Sequence, residues 1–198
     1  MRADLDIVAG MIGEGKTALD LGCGDGALLE ALIERQDCRG FGVERDLDRF
    51  LSCIDRGVPV TRGDLEEELA LAETSSLDVA VLSLTLQATR HPERVLEEMS
   101  RVAARQIVSL PNFAHWKLRA TIALRGRMPV SPILPYEWYD TPNIHLCTLA
   151  DFEGLVAQVG LRIEDRVLLD SNGHKAPAFT TRARNLLAEG AVYSLTTG

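Results

Sequence analysis

The chain has 198 residues, 46% of them hydrophobic, with 29 acidic against 21 basic residues and a formal net charge of −8. That is enough apolar material for a packed core, well outside the disordered range, and enough length for one domain rather than two. The acidic balance excludes broad binding to nucleic acid phosphates or anionic lipid, because no global basic field draws them in.

The N-terminal stretch MRADLDIVAGMIGEG carries acids where a signal peptide has its basic and apolar regions, and no apolar run approaches the ~20 residues of a membrane span. A cytoplasmic protein is expected. Within that stretch Asp4–Ile12 has helical spacing, with Leu5, Val8, Ala9 and Ile12 on one side and Gly13 and Gly15 to stop it. Thr17–Leu21 is apolar, too short for a helix and closed by glycine, which predicts a buried strand. Asp25–Arg35 places Leu28, Leu29, Leu32 and Ile33 along one helical stripe. Gly40–Val43 is a second strand ending at Glu44, and Asp46 can cap a helix over Leu47–Asp55 that stops at Gly57. VPVTRGD, from Val58, reads as a third strand, and Ser76–Leu84 is β-branched enough for a central one. HPERVLEEMSRVA has Pro92 at an acceptable helix start and Val95, Leu96, Met99 and Val102 on one face; QIVSLP, from Gln106, is a fifth strand.

This alternation implies βαβ units: an α/β fold whose sheet is mostly parallel, with helices on both faces and a strand order that reverses near the first strand. Ligands in such sheets sit beyond the carboxyl ends of the strands at that reversal, where the glycines of TALDLGCGDG lie. After Pro111 the texture changes. Asn112–Gly126 is a plausible helix, and RMPVSPILPYEWYDTPNIHLCT then holds four of the eight prolines together with Tyr136, Trp138 and Tyr139. A loop this long in a compact domain is usually functional, and two readings stay open for about 126–147: a lid, or a partner surface. Thr148 caps a helix to Gln158, with Asp151 completing a capping box. LRIEDRVLLD alternates as a strand, and AVYSLTTG reads as a last edge strand. With no repeat, low-complexity tract or linker, residues 1–198 read as a single domain. Its four cysteines, Cys23, Cys38, Cys53 and Cys147, form no CxxC pair and read as packing residues rather than a disulfide framework or a zinc site.

The glycine stretch carries the chemistry. Gly22, Gly24 and Gly26 are spaced one residue short of the dinucleotide fingerprint, and Asp25 puts an anion where a pyrophosphate needs a dipole or a cation. Bare glycine lets a ligand approach main-chain N–H groups, and Asp20 suits a ligand with an ammonium or sulfonium group. Glu44, twenty residues after Gly24, can accept hydrogen bonds from both hydroxyls of a ribose, and Asp64, in RGD, can receive the exocyclic amine of adenine; Asp64 can equally cap the helix LEEELA. Cys23 reads as a small residue under the turn, its thiol kept protonated by the nearby acids.

Over roughly residues 15–110 these pieces resemble the class I S-adenosylmethionine-dependent methyltransferases, with LDLGCGDG as the first motif, GVE as the ribose acid and GDL as the adenine edge. The resemblance implies a Rossmann-like, mostly parallel seven-stranded sheet. It implies a cofactor site built from Asp20, Gly22, Cys23, Gly24, Asp25, Gly26, Glu44, Arg45, Gly63, Asp64, Leu65 and Ser83, for S-adenosylmethionine or S-adenosylhomocysteine. No acceptor site is named by the sequence. LSLTLQATRHP replaces the polar-Pro-Pro-aromatic run of many amine methyltransferases; Ser83, Thr85 and Gln87 are poor bases, His91 reads as a cap or solvated residue, and His115 and His145 are bases by type alone. Lys117, Arg119, Arg125 and Arg127 form a local basic run, either a solvated helix face or a match for an acidic partner patch. Over nearly the full length, LSLTLQATRHP, PNFAHWKLR, GRMPVSPILPYEWYDTPNIHLCT and NLLAEGAVYSL closely resemble the MetW family of methionine biosynthesis. That implies a cofactor-binding partner of homoserine O-acyltransferase; the alternative is an active methyltransferase on an unidentified small molecule or protein.

Overall fold

Strands that are apolar on both sides need a cover on both sides, and this chain supplies one from each flank of a single sheet. The structure, a computed structural model, describes residues 2–177 and 180–198, without the side chains of Thr181 and Arg182. Its strands are β1 Thr17–Leu21, β2 Arg39–Glu44, β3 Val60–Arg62, β4 Leu77–Ser83, β5 Ala103–Pro111, β6 Leu161–Leu169 and β7 Gly190–Thr197, in the order β3-β2-β1-β4-β5-β7-β6. The first five run parallel, with Leu19 paired to Ala80, whereas β7 is antiparallel to both β5 and β6. The helices are α1 Ala3–Ile12, α2 Ala27–Gln36, α3 Leu47–Asp55, α4 Leu65–Leu71, α5 Pro92–Val102, α6 Trp116–Arg125, α7 Leu149–Gln158 and α8 Thr181–Leu187.

Alternation along the strands splits the core in two. Ala80 and Leu82 of β4 join α4, α5 and α7 through Leu69, Leu96, Met99 and Phe152, and Val79 and Val81 join α1 and α2 through Val8, Ile12, Leu28 and Leu32. A third, small cluster of Cys23, Leu29, Cys53 and Val58 fastens α3 beneath the glycine turn. Among the described residues no helix is long and apolar enough to cross a membrane.

Three expectations need correction. AVYSLTTG is not an edge strand: β7 lies between β5 and β6, its first six residues are buried, and β6 takes the edge. The third strand is only Val60–Arg62, so Asp64 lies outside it as the N-cap of α4. The helices over 25–35 and 112–126 begin later, at Ala27 and Trp116. The short helix α8, with Thr180 as its cap, and a 3-10 turn over Leu86–Ala88 have no counterpart in the sequence reading. The Thr148–Asp151 capping box is present with both of its reciprocal hydrogen bonds.

Candidate functional site

The strand order reverses between β1 and β4, and their carboxyl ends open into a crevice of about 1700 Å³. Eleven of the twelve candidate residues line it: Asp20, Gly22, Cys23, Gly24, Asp25, Glu44, Arg45, Gly63, Asp64, Leu65 and Ser83. Gly26 does not. It turns toward α3, and a Cβ there would meet Val58 at 2.8 Å.

The glycine turn is built to present surface. Gly22 has φ +72°, and its missing Cβ makes room for Thr85, whose Cγ2 would lie 2.8 Å away. Gly24 has φ +62° and nothing within 4 Å of where its Cβ would be, so its open side belongs to the crevice. The N–H groups of the turn are, contrary to the sequence expectation, spent internally. Gly22 and Cys23 both donate to the Val43 carbonyl at 2.8 and 3.1 Å, Gly26 donates to Cys23, and Gly24 donates to Glu44 Oε2 at 2.8 Å. These four N–H groups are therefore withdrawn from any cradle for an anion, and the turn offers a floor and carboxylates.

Each acid is held differently. Asp20 is 2% exposed on β1, and its Oδ1 is buried without a hydrogen-bond partner among the described residues. Burial lifts its carboxyl from the ordinary 3.8 to about 7, with the Arg2 guanidinium pulling part of the way back and Glu44 adding to the rise. Glu44, 7% exposed, is no solvated strand end: Oε2 takes the Gly24 N–H and Oε1 the Asp46 N–H, each at 2.8 Å. Each oxygen keeps a further lone pair. Asp64 caps α4 through Oδ1, which accepts from Glu66 N at 2.9 Å, leaving Oδ2 without a partner among the described residues. Partial burial works the other way, but the Ala27 N–H and the Arg56 guanidinium, 2.8 Å off, hold Asp25 below its ordinary value. Cys23 lies under the turn, 3.8 Å from the sulfur of Cys53. Burial is the main reason its thiol stays protonated, and Asp20 comes second, which reorders the cause expected from sequence.

Sequence reasoning missed Arg2, which reaches from the start of α1 to donate to Ser83 Oγ at 2.9 Å and to Asp4. No local pattern signals a contact 81 residues apart. Where an acceptor would lie, beyond β4, the polar groups are occupied except Gln87 Oε1, which is buried without a partner among the described residues. Thr85 Oγ1 donates to the Ser83 carbonyl, Gln87 Nε2 to the Leu84 carbonyl, and Ser83 and Ser109 share a hydrogen bond. Leu84 itself sits at φ +52°, a strained conformation for a leucine. His91 is held by Glu66 at 3.0 Å; His115 is buried near Glu189, its pKa lowered chiefly by burial; among the described residues no histidine lines the crevice.

Comparison with known proteins bears on this arrangement. The family described as "Methionine biosynthesis protein MetW" matches residues 2–195. The chain belongs to the MetW family. It is 34% identical over 179 residues to the "Bifunctional methionine biosynthesis protein MetXA/MetW" of Rhodopirellula baltica, an alignment that spans 86% of this chain and 29% of that longer protein. Among solved structures it is similar to an S-adenosylmethionine-dependent methyltransferase from Mesorhizobium loti, with TM-score 0.70 and 17% identity over 98% of this chain and 97% of that one. A second, described as a possible histamine N-methyltransferase from Thermotoga maritima, gives TM-score 0.68 and 17% identity over 99% and 88%. At such identities the structures speak for the fold alone, which is the Rossmann-like methyltransferase fold. The MetW match spans the Pro-rich segment and the carboxyl-terminal strands as well as the glycine turn.

Proposed function

We propose that this MetW-family chain binds S-adenosylmethionine or S-adenosylhomocysteine and serves, in the cytoplasm, as an accessory or regulatory partner of homoserine O-acyltransferase. The observation that carries the partnership is the Rhodopirellula relative, whose name joins a MetXA unit, of the acyltransferase type, to a MetW unit in one protein. The ligand reading is supported by the fit of the crevice. Asp20 carries an unpartnered buried oxygen, Glu44 and Asp64 keep acceptor capacity, Gly24 leaves open space, and the N–H groups of Gly22, Cys23, Gly24 and Gly26 are already spent. In this reading Asp20 would hold the cationic amino-acid end, Glu44 the ribose hydroxyls and Asp64 the adenine amine. Bound S-adenosylmethionine would supply an activated methyl on a sulfonium centre. This chain's own contribution is to bind and orient that ligand. Co-purification with the acyltransferase and a changed acyltransferase rate in the mixture are expected; an inert mixture ends the proposal.

A second reading, an active methyltransferase, is favoured by the size of the crevice. At about 1700 Å³ it exceeds the ~300–1,000 Å³ of ordinary ligand pockets and leaves room beside a nucleoside. Labelled methyl passing from S-adenosylmethionine into any metabolite or protein of a cell extract decides for it.

A further inference from the structure

The two sides of the segment 126–147 differ. It forms no helix or strand. Residues before and after its tip, among them Ile133, Tyr136, Asp140 and Asn143, line the crevice. The tip does not: Trp138 and Tyr139 are 72% and 70% exposed and stack edge to face, ring centroids 5.7 Å apart. Across 122–146 lie nine of the seventeen large hydrophobic side chains that are exposed among the described residues. Arg125 and Arg127, next to them, are exposed and have no ion pair among the described residues, on a chain whose net charge is −8.

The segment is also tied to the glycine turn. Ile144 N and His145 N both donate to the Gln87 carbonyl, at 2.9 and 3.0 Å. Gln87 lies in the 3-10 turn that follows Thr85, and Thr85 is the side chain packed over Gly22. One strap thus touches the crevice on its inner side and hangs on the element that closes the glycine turn.

Resting on the reading above, we propose that this strap links occupancy of the crevice to docking of the acyltransferase. Ligand meets its inner side, and the exposed Trp138 and Tyr139, with Arg125 and Arg127 around the start of the same strap, enter an apolar, acid-rimmed patch of the acyltransferase. Tryptophan, tyrosine and arginine are the residue types that concentrate interface energy, and the strap meets solvent with all three. The Rhodopirellula relative carries both names in one protein, and two units in one chain meet at a raised effective concentration. Because both ligands act on one element, each shifts the other's affinity by the same factor, typically ~5- to 150-fold.

The test is calorimetry on the full chain, with S-adenosylhomocysteine as the probe and purified acyltransferase as the partner. For the wild type, the probe's Kd is expected to change at least ~5-fold when the acyltransferase is present. For W138A/Y139A, acyltransferase binding should weaken at least ~10-fold while the isolated variant binds the probe within twofold of wild type, which also shows that it has folded. A variant that binds the acyltransferase as wild type does, or a wild type whose probe affinity ignores the acyltransferase, overturns the linkage and leaves the accessory reading standing. A wild type that fails to bind either probe or acyltransferase overturns both.

Discussion

Glu44 is the residue at which ligand binding and loop structure can be separated by measurement. Its two oxygens accept from Gly24 N and Asp46 N, both at 2.8 Å, so the carboxylate ties the glycine turn to the start of α3. Glu44→Ala leaves two part-buried N–H groups without acceptors. At ~1–3 kcal/mol each, eased by water entering from the open crevice, the loss is ~2–4 kcal/mol. For a chain of this size that lowers the thermal midpoint by roughly 5–15 °C. Two charge-assisted hydrogen bonds to a ribose carry a further ~1.5–3 kcal/mol, which weakens the Kd for S-adenosylhomocysteine ~10- to 150-fold. Glu44→Gln should fall between, because an amide can accept from one of the two N–H groups while its own NH₂ confronts the other. The assay is calorimetry below the variant's midpoint, paired with thermal denaturation. A lowered midpoint with Kd within twofold of wild type would leave Glu44 a loop staple and remove it from the ligand site. An unchanged midpoint would refute the structural argument itself.

Asp20 makes stability and binding depend on pH in opposite senses. The folded chain keeps its proton up to about 7 whereas the unfolded chain loses it near 3.8, so stability should fall as pH rises between those values and level off above. A cationic ligand favours the ionised carboxylate, so its Kd should tighten from pH 5 to 7 by up to ~10-fold per unit. Both slopes should vanish in Asp20→Asn, and a variant that keeps them would place the titration elsewhere. Gly24→Ala adds a methyl at φ +62° into open crevice: ~1–2 kcal/mol of strain by denaturation, and a larger relative loss in Kd if the ligand lies over the turn. Remote from the crevice, Glu153 accepts from Arg166 and Tyr193 at 2.9 Å and also from Arg184. Glu153→Ala strands two guanidinium groups and a hydroxyl and should cost ~3 kcal/mol in denaturation, with the probe's Kd unmoved.

What the sequence made legible was what neighbouring residues decide. The helix over Leu47–Asp55 with its Asp46 cap, the strand over Thr17–Leu21 and the Thr148–Asp151 box each follow from patterns a few residues long, and the structure keeps their limits. The order of motifs from Asp20 to Ser83 brought eleven of twelve candidates to one crevice, because parallel strands with helical crossovers put every carboxyl end on the same side. The errors lie where distant contacts decide. GAVYSL is apolar nearly throughout, the mark of a strand buried on both faces, but which strands flank it depends on β5 and β6, some 20 to 90 residues upstream by their positions. TRARNLL is too short to show a helical face, and Thr180 alone marks its start. Whether Glu44 faced solvent or the Gly24 N–H could not be read from a strand end.

The hydrogen bonds of the glycine turn limit what the proposed site can offer an entering ligand. In a dinucleotide site the turn and the following helix present unspent N–H groups, and the positive end of the helix faces a pyrophosphate. Here the Val43 carbonyl consumes two of those donors, Glu44 a third and Cys23 a fourth, while Asp25 accepts from Ala27 N at the head of α2. An anion entering would lose its water, meet Asp20, Asp25, Glu44 and Asp64 together with the guanidinium groups of Arg2, Arg45, Arg49 and Arg90 in the same lining, and gain nothing from the spent N–H groups of Gly22, Cys23, Gly24 and Gly26. A positively charged nucleoside meets the reverse: acceptors with lone pairs to spare and one buried carboxyl oxygen with nothing to bind. Beyond β4, Thr85 Oγ1 and Gln87 Nε2 are likewise spent on main-chain carbonyls, whereas Gln87 Oε1 is a second buried oxygen without a partner among the described residues. Under the proposed reading the output of this site is an altered affinity for a second protein, and transfer of labelled methyl to an acceptor is the observation that would assign it to an enzyme instead.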